Sequence, residues 1–207
     1  MRSTQLVIVS PSKFYKNDQR ATDLKWSFGI VLATALASIL GSVYAFTQFI
    51  DTFPGAVRAF AILGGLVTLF EGIFGTFLVW FAFAGTFYFH SMPFGGNGDF
   101  RDLLAAIGWG FIPSGIGAFI GSVSAIYVFS QVPLRPVGEG LTQAIQATES
   151  NPWLVLANVL GVPFAVWQGF LWFYAVKSIR GLSSREAIIT VAGPVAVSIS
   201  WSLWNIV

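Results

Sequence analysis

The sequence predicts an all-α integral membrane protein: a five-span helical bundle with proline-kinked helices, forming one domain over residues 1–207. Three observations point there. The chain is 55% hydrophobic and only 10% charged, whereas a soluble domain carries about 25% charged residues. Its mean hydropathy is +0.73. Its apolar runs also reach the ~20 residues that cross a hydrocarbon core. No charged or Pro/Ser-rich linker separates two apolar blocks, so a single compact unit is expected.

Residues 1–25 form a cytosolic or interfacial segment. "SPSKFYKNDQRATDLK" (10–25) starts as a helix does, with Ser10 in the capping position and Pro11 at the first helical position. Phe14 and Tyr15 among Lys13, Lys16, Arg20 and Lys25 suggest an interfacial helix on anionic lipid. A plain basic topology anchor explains the same residues. "LVIV" (6–9) is too short for the apolar region of a signal peptide, and Pro11 follows almost at once.

The five spans are read at about 26–46, 63–89, 103–129, 153–176 and 187–204. A helix over the whole of 57–89 would be roughly 50 Å long against a ~30 Å core. Span two is therefore strongly tilted, or 54–63 is an interfacial approach to a shorter span. With the N-terminus inside, Arg2, Lys13, Lys16, Arg20, Lys25, Arg101, Lys177, Arg180 and Arg185 lie on the inner side. Only Arg58 and Arg135 lie outside, which satisfies the positive-inside rule. The C-terminus is then outside. Trp26, Tyr44, Tyr88, Tyr127, Trp153 and Trp204 sit near span ends as interfacial aromatics do. The outer loop 130–151 is expected to hold a short surface helix near 139–147.

Span three contains "GWGFIPSGIGAFIGS" (108–122), with five glycines and a proline. A phosphate-cradling loop needs a preceding strand and usually a lysine, and neither is present. In lipid, small residues let helix backbones approach closely. Gly110, Ser114, Gly117 and Gly121 form such a stripe, a candidate interface with other membrane proteins or with a second copy. Pro113 cannot donate to the carbonyl of Trp109, so a kink is expected there. Pro163 and Pro194 sit similarly in spans four and five. The set describes either a bent, tightly packed bundle or a transporter with broken helices around a substrate site.

Glu71 is the one charged residue well inside a span, and a buried carboxylate is a functional candidate by default. As a neutral acid it could bond Gln168 of span four. If span two starts late, it reaches water about two turns from its outer end. His90 is the sole histidine, without the spacing of a metal site. No acid–histidine pair accompanies a nucleophile sequence. Asp99, Arg101 and Asp102 read as a helix start, with Asp102 placed favourably near the positive end of the helix dipole. With no cysteine and a net charge of +2, no enzyme activity, cofactor, metal or nucleic-acid partner is expected.

The order of these features resembles the Yip (Ypt-interacting-protein) domain family, especially its short prokaryotic members. The resemblance rests on "PSKFYKN" (11–17), on "FHSMPFGGNGDFRDLLAAIGWGFIPSGIGAF" (89–119) and on "VKSIRGLSSREAIITVAGPVAV" (176–197). It implies a five-span bundle with a cytosolic N-terminus. Eukaryotic relatives bind Rab-type GTPases in vesicle traffic, so a small GTPase is an implied partner. This sequence has only about 25 residues ahead of span one. The expected setting is a prokaryotic cell membrane. There the chain is read as a scaffold or accessory subunit, or as a small transporter or channel using Glu71, or as a trafficking adaptor.

Overall fold

The computed structural model describes residues 7–131 and 151–204. The described residues are helical throughout apart from short turns, and contain no strand. Helix α1 covers Pro11–Asn17, and a 3-10 turn follows at Gln19–Thr22. Then come α2 Leu24–Phe49, α3 Gly55–Ser91, α4 Phe100–Trp109, α5 Phe111–Gln131, α6 Pro152–Ile179 and α7 Ser184–Trp204. Five stretches are long and apolar enough to cross a membrane: α2, α3, α4 with α5, α6, and α7. The expected surface helix near 139–147 lies outside the described residues.

Helix starts follow local chemistry. Asp18 accepts a hydrogen bond from the Arg20 amide at 2.9 Å, and Asp23 one from the Lys25 amide at 2.9 Å. Each aspartate thus satisfies a donor that a helix start leaves unpaired. Asn151 does the same for α6 through the Trp153 amide at 3.0 Å, with Pro152 at the first position. At α7 the Ser183 amide donates to Glu186 at 2.8 Å and the Glu186 amide donates back to the Ser183 hydroxyl at 3.4 Å. This is a reciprocal capping box.

Two spans differ in detail from expectation. Span two is one continuous helix of 37 residues, about 55 Å long and nearly twice a ~30 Å core. Span three is divided at Gly110, three residues ahead of the expected kink at Pro113. The reason is positional. With the break at Gly110, Pro113 falls in the first turn of α5, where the missing N–H costs no helical bond. Pro163 and Pro194 lie inside the unbroken helices α6 and α7.

The core gathers at one end of the bundle. There α4 packs between α2, α3, α6 and the 3-10 turn, and α1 lies against α6. Leu103, Ala105, Ala106, Ile107, Leu171 and Trp172 are all 0% exposed. The other end is looser. The first half of α3 leaves Phe60, Leu63, Leu66, Val67, Phe70 and Phe74 exposed, and an ion pair joins Arg58 to Asp51 at 2.6 Å.

Candidate functional site

Helix α4 is buried from Leu103 to Trp109 and ends abruptly at Gly110. A helix terminus inside an apolar bundle leaves carbonyls that have no water to bond. Side chains from three neighbouring helices also donate to carbonyls in the last turns of α4. The Trp80 indole of α3 donates to the Leu104 carbonyl at 2.8 Å. The Ser27 hydroxyl of α2 donates to the Ala105 carbonyl. The Trp172 indole of α6 donates to the Ile107 carbonyl at 3.1 Å. Just past the break, Thr34 of α2 donates to the Phe111 carbonyl at 3.3 Å. The broken span is thus held from three sides by donors aimed at its backbone.

Glycines make that approach possible. A β-carbon on Gly108 would lie 2.6 Å from the Ser27 side chain, and one on Gly115 would lie 2.7 Å from Thr34. One on Gly110 would overlap the Trp172 indole, and one on Gly117 would lie 2.9 Å from the Phe164 ring. The small stripe expected as a partner interface is therefore largely used inside the chain. Gly110, Ser114 and Gly117 face α6, and only Gly121 has open space beside it. The same physics that joins two chains through small residues here joins two helices of one chain.

Next to this seam lies a cavity of about 740 Å³ between α3, α5, α6 and α7, lined mostly by apolar groups with Phe83, Gly117 and Phe164 among them. Ser114 and Gln168 meet on its wall, the serine hydroxyl donating to Gln168 Oε1 at 2.9 Å. Ser198 and Ser202 of α7 also line it. The space is partly open to the outside of the bundle, and its walls are largely apolar. Glu71 does not join it. The Gln168 carbonyl oxygen is engaged by Ser114, and the Glu71 side chain is exposed on α3, with no hydrogen bond or ion pair among the described residues. The expected Glu71–Gln168 contact is therefore replaced by Ser114–Gln168, because α3 turns Glu71 away from α6.

A second polar cluster closes the tight end. Arg180, at the end of α6, is 2% exposed. Its Nε donates to the Ser91 hydroxyl at 2.8 Å, and its terminal nitrogens donate to the carbonyls of Gly96 (2.7 Å) and Gly98. The guanidinium lies 4.2 Å from the Tyr88 ring centre, and the Asn97 amide returns a bond to the Arg180 carbonyl at 3.0 Å. No carboxylate among the described residues takes part. The planar fork of five donors suits a cradle of carbonyls. Gly98 has φ +88, and a β-carbon there would meet the Ile179 carbonyl at 2.6 Å, so the turn needs glycine. Charge counting treats Arg180 as one more topology residue and misses this role. The signal that could have found it is "GGNG" (95–98), a turn too glycine-rich for a mere connection.

The N-terminal segment is more firmly tied than an interfacial helix. Phe14 is 0% exposed and meets Trp109 edge-on at 4.7 Å, and the Trp109 indole donates to the Arg20 carbonyl at 3.0 Å. Its aromatics therefore enter the protein, while Lys13, Lys16 and Lys25 stay exposed and Arg20 lies 5.0 Å from the Trp26 ring centre. The Tyr15 hydroxyl is buried without a hydrogen-bond partner. Burial pushes its pKa well above the ordinary phenol value, keeping the hydroxyl protonated and neutral. His90 is exposed. Among the described residues no group of three or more acidic, histidine or cysteine side chains could hold a metal ion.

An uncharacterized protein of Methanocaldococcus jannaschii is 28% identical over 131 residues, which are 62% of this chain and 93% of that protein. No solved structure matches the chain. The model of the Yip1 domain matches residues 6–205. That match takes in every described helix, and the chain belongs to the Yip1 domain family.

Proposed function

We propose that the protein is a non-enzymatic membrane scaffold or accessory subunit, associating through the first half of α3 with another membrane protein or a second copy. The observation that carries this reading is the placement of Glu71. It sits exposed between exposed Phe70 and Phe74, on a helix whose own bundle does not cover it. A carboxyl group facing hydrocarbon is expensive, and a neighbouring helix relieves that cost by supplying a polar partner. Gly64 and Gly75 on the same helix have open space beside them.

The test is gentle-detergent purification followed by native mass spectrometry. The expected result is a stoichiometric complex that Gly75→Leu or Glu71→Leu dissociates while leaving the monomer folded. A bare monomer from wild-type protein overturns the reading. The 740 Å³ cavity with its Ser114–Gln168 pair favours a second reading, a small transporter. That reading requires solute flux into liposomes that Gln168→Leu abolishes, and absence of flux removes it.

A further inference from the structure

A small concavity lies between α1 and the last turn of α6, lined by Ser12, Lys16, Tyr174, Lys177 and Ser178. Helical spacing assembles it. Ser12 and Lys16 are four residues apart on α1, while Tyr174, Lys177 and Ser178 occupy one face of α6 at three- and four-residue steps. Phe14, buried against Trp109, clamps α1 in place so that the two faces oppose each other.

The lining holds two ammonium groups, three hydroxyls and no carboxylate. Among the described residues the side-chain polar groups of Ser12, Lys16, Tyr174 and Ser178 have no protein hydrogen-bond partner. Lys177 donates once, to Ser184 at 2.7 Å, and an ammonium has two further protons to give. The space is about 50 Å³. That exceeds the ~10–15 Å³ a cavity needs to hold a single water, which leaves room for a small anion group. Neither Lys16 nor Lys177 forms an ion pair among the described residues, and an anion in the concavity would take charge-assisted hydrogen bonds from both.

We infer that this concavity binds a phosphate group, held by Lys16 and Lys177 and oriented by the hydroxyls of Ser12, Tyr174 and Ser178. It sits at the end of the apolar helix α6, on the side that the basic residues are expected to place inside. A phospholipid headgroup and a free phosphate share this chemistry. The site would secure α1 to α6 through the ligand, so its occupancy sets how firmly the N-terminal segment is docked. It goes beyond the scaffold reading and uses no residue of α3.

The experiment uses the full chain in detergent. In the lipid arm, native mass spectrometry counts phosphatidylglycerol and phosphatidylcholine retained from an equimolar mixture. In the soluble arm, inorganic phosphate is titrated against chloride at constant ionic strength and the unfolding midpoint is followed. Lys16→Gln combined with Lys177→Gln is compared with Lys13→Gln combined with Lys25→Gln, which removes the same charge outside the concavity. Lys16→Gln alone serves as the second variant, since it breaks no bond within the protein. The expected result is preferential retention of phosphatidylglycerol, weakened about tenfold or more by the first pair and by less than about threefold by the second. A phosphate-dependent rise in midpoint that the first pair removes, without lipid preference, supports the same site with a soluble occupant. Equal losses from the two pairs, or neither lipid preference nor a phosphate effect, overturn the inference. A partner complex that survives in the first pair would leave the scaffold reading standing by itself.

Discussion

Gly110 lies directly against the Trp172 indole, so close that a single methyl group on the glycine would overlap Nε1. The same nitrogen donates to the Ile107 carbonyl at 3.1 Å. Phe83 and Phe87 pack on the ring at 4.4 and 5.4 Å, so the tryptophan has no room to withdraw. Gly110→Ala is expected to lower the unfolding midpoint in detergent by the equivalent of about 1–3 kcal/mol, the usual cost of overpacking. Gly121→Ala is the control. Open space surrounds it, and alanine's better helix propensity favours a change of roughly zero to +1 kcal/mol. Equal effects at the two positions would show that the break in span three does not depend on this contact.

Arg180 ties the 91–100 connection to the end of α6 through Ser91, Gly96 and Gly98. Lysine keeps the charge but lacks the planar fork. Arg180→Lys is expected to cost about 1–3 kcal/mol, the scale for leaving a buried polar group unsatisfied. It should also raise hydrogen exchange at the Asn97 amide, which bonds the Arg180 carbonyl. Unchanged exchange there would mean that backbone contacts alone hold the loop.

Tyr15 presents the opposite case, a buried hydroxyl with nothing to bond. Tyr15→Phe removes that unsatisfied group and is expected to leave stability unchanged or raise it by about 1 kcal/mol near neutral pH. The ordinary phenol value is 10.0, and burial raises it in the folded state. Above pH 10 the unfolded chain therefore releases a proton that the folded chain retains. Stability tied to Tyr15 is complete below pH 10 and falls as pH rises beyond it. Phenylalanine does not titrate, so the advantage of Tyr15→Phe should grow between pH 9.5 and 11, by up to about 1.4 kcal/mol per pH unit. A gap between the two proteins that stays flat across this range would place the hydroxyl in contact with water.

These three positions show what a membrane sequence discloses. The spans were legible because they depend only on apolar length, and Ser10–Pro11 marks a helix start through proline's fixed φ. Contacts between spans depend on how each helix is rotated about its axis. A span that is apolar all round carries no amphipathic signal to reveal that rotation. Hence Glu71 and Gln168 could be paired on paper, while the structure turns one outward and gives the other to Ser114. The glycine stripe was visible for the same reason that its partner was not. Small residues mark close approach without saying whose helix approaches. Arg180 was hidden by its company, since nine basic residues on the expected inner side make any one of them look like an orientation signal.

Ser114 and Gln168 offer a direct measure of what a polar contact contributes on the cavity wall. The serine hydroxyl donates to Gln168 Oε1 at 2.9 Å, linking α5 to α6 where Gly117 also meets Phe164. In lipid the unfolded reference helices find other polar partners, so such bonds average about 0.6 kcal/mol and rarely exceed 1.7. Ser114→Ala and Gln168→Leu should each destabilise, and a double-mutant cycle should give a coupling of about 0.5–1.7 kcal/mol. Gln168→Leu should cost the more stable packing less than Gly117→Leu, which drives a branched side chain into the Phe164 ring. A coupling near zero with intact folding would mean that the two side chains are solvated separately within the 740 Å³ cavity. Water rather than the direct bond would then be what lines that wall.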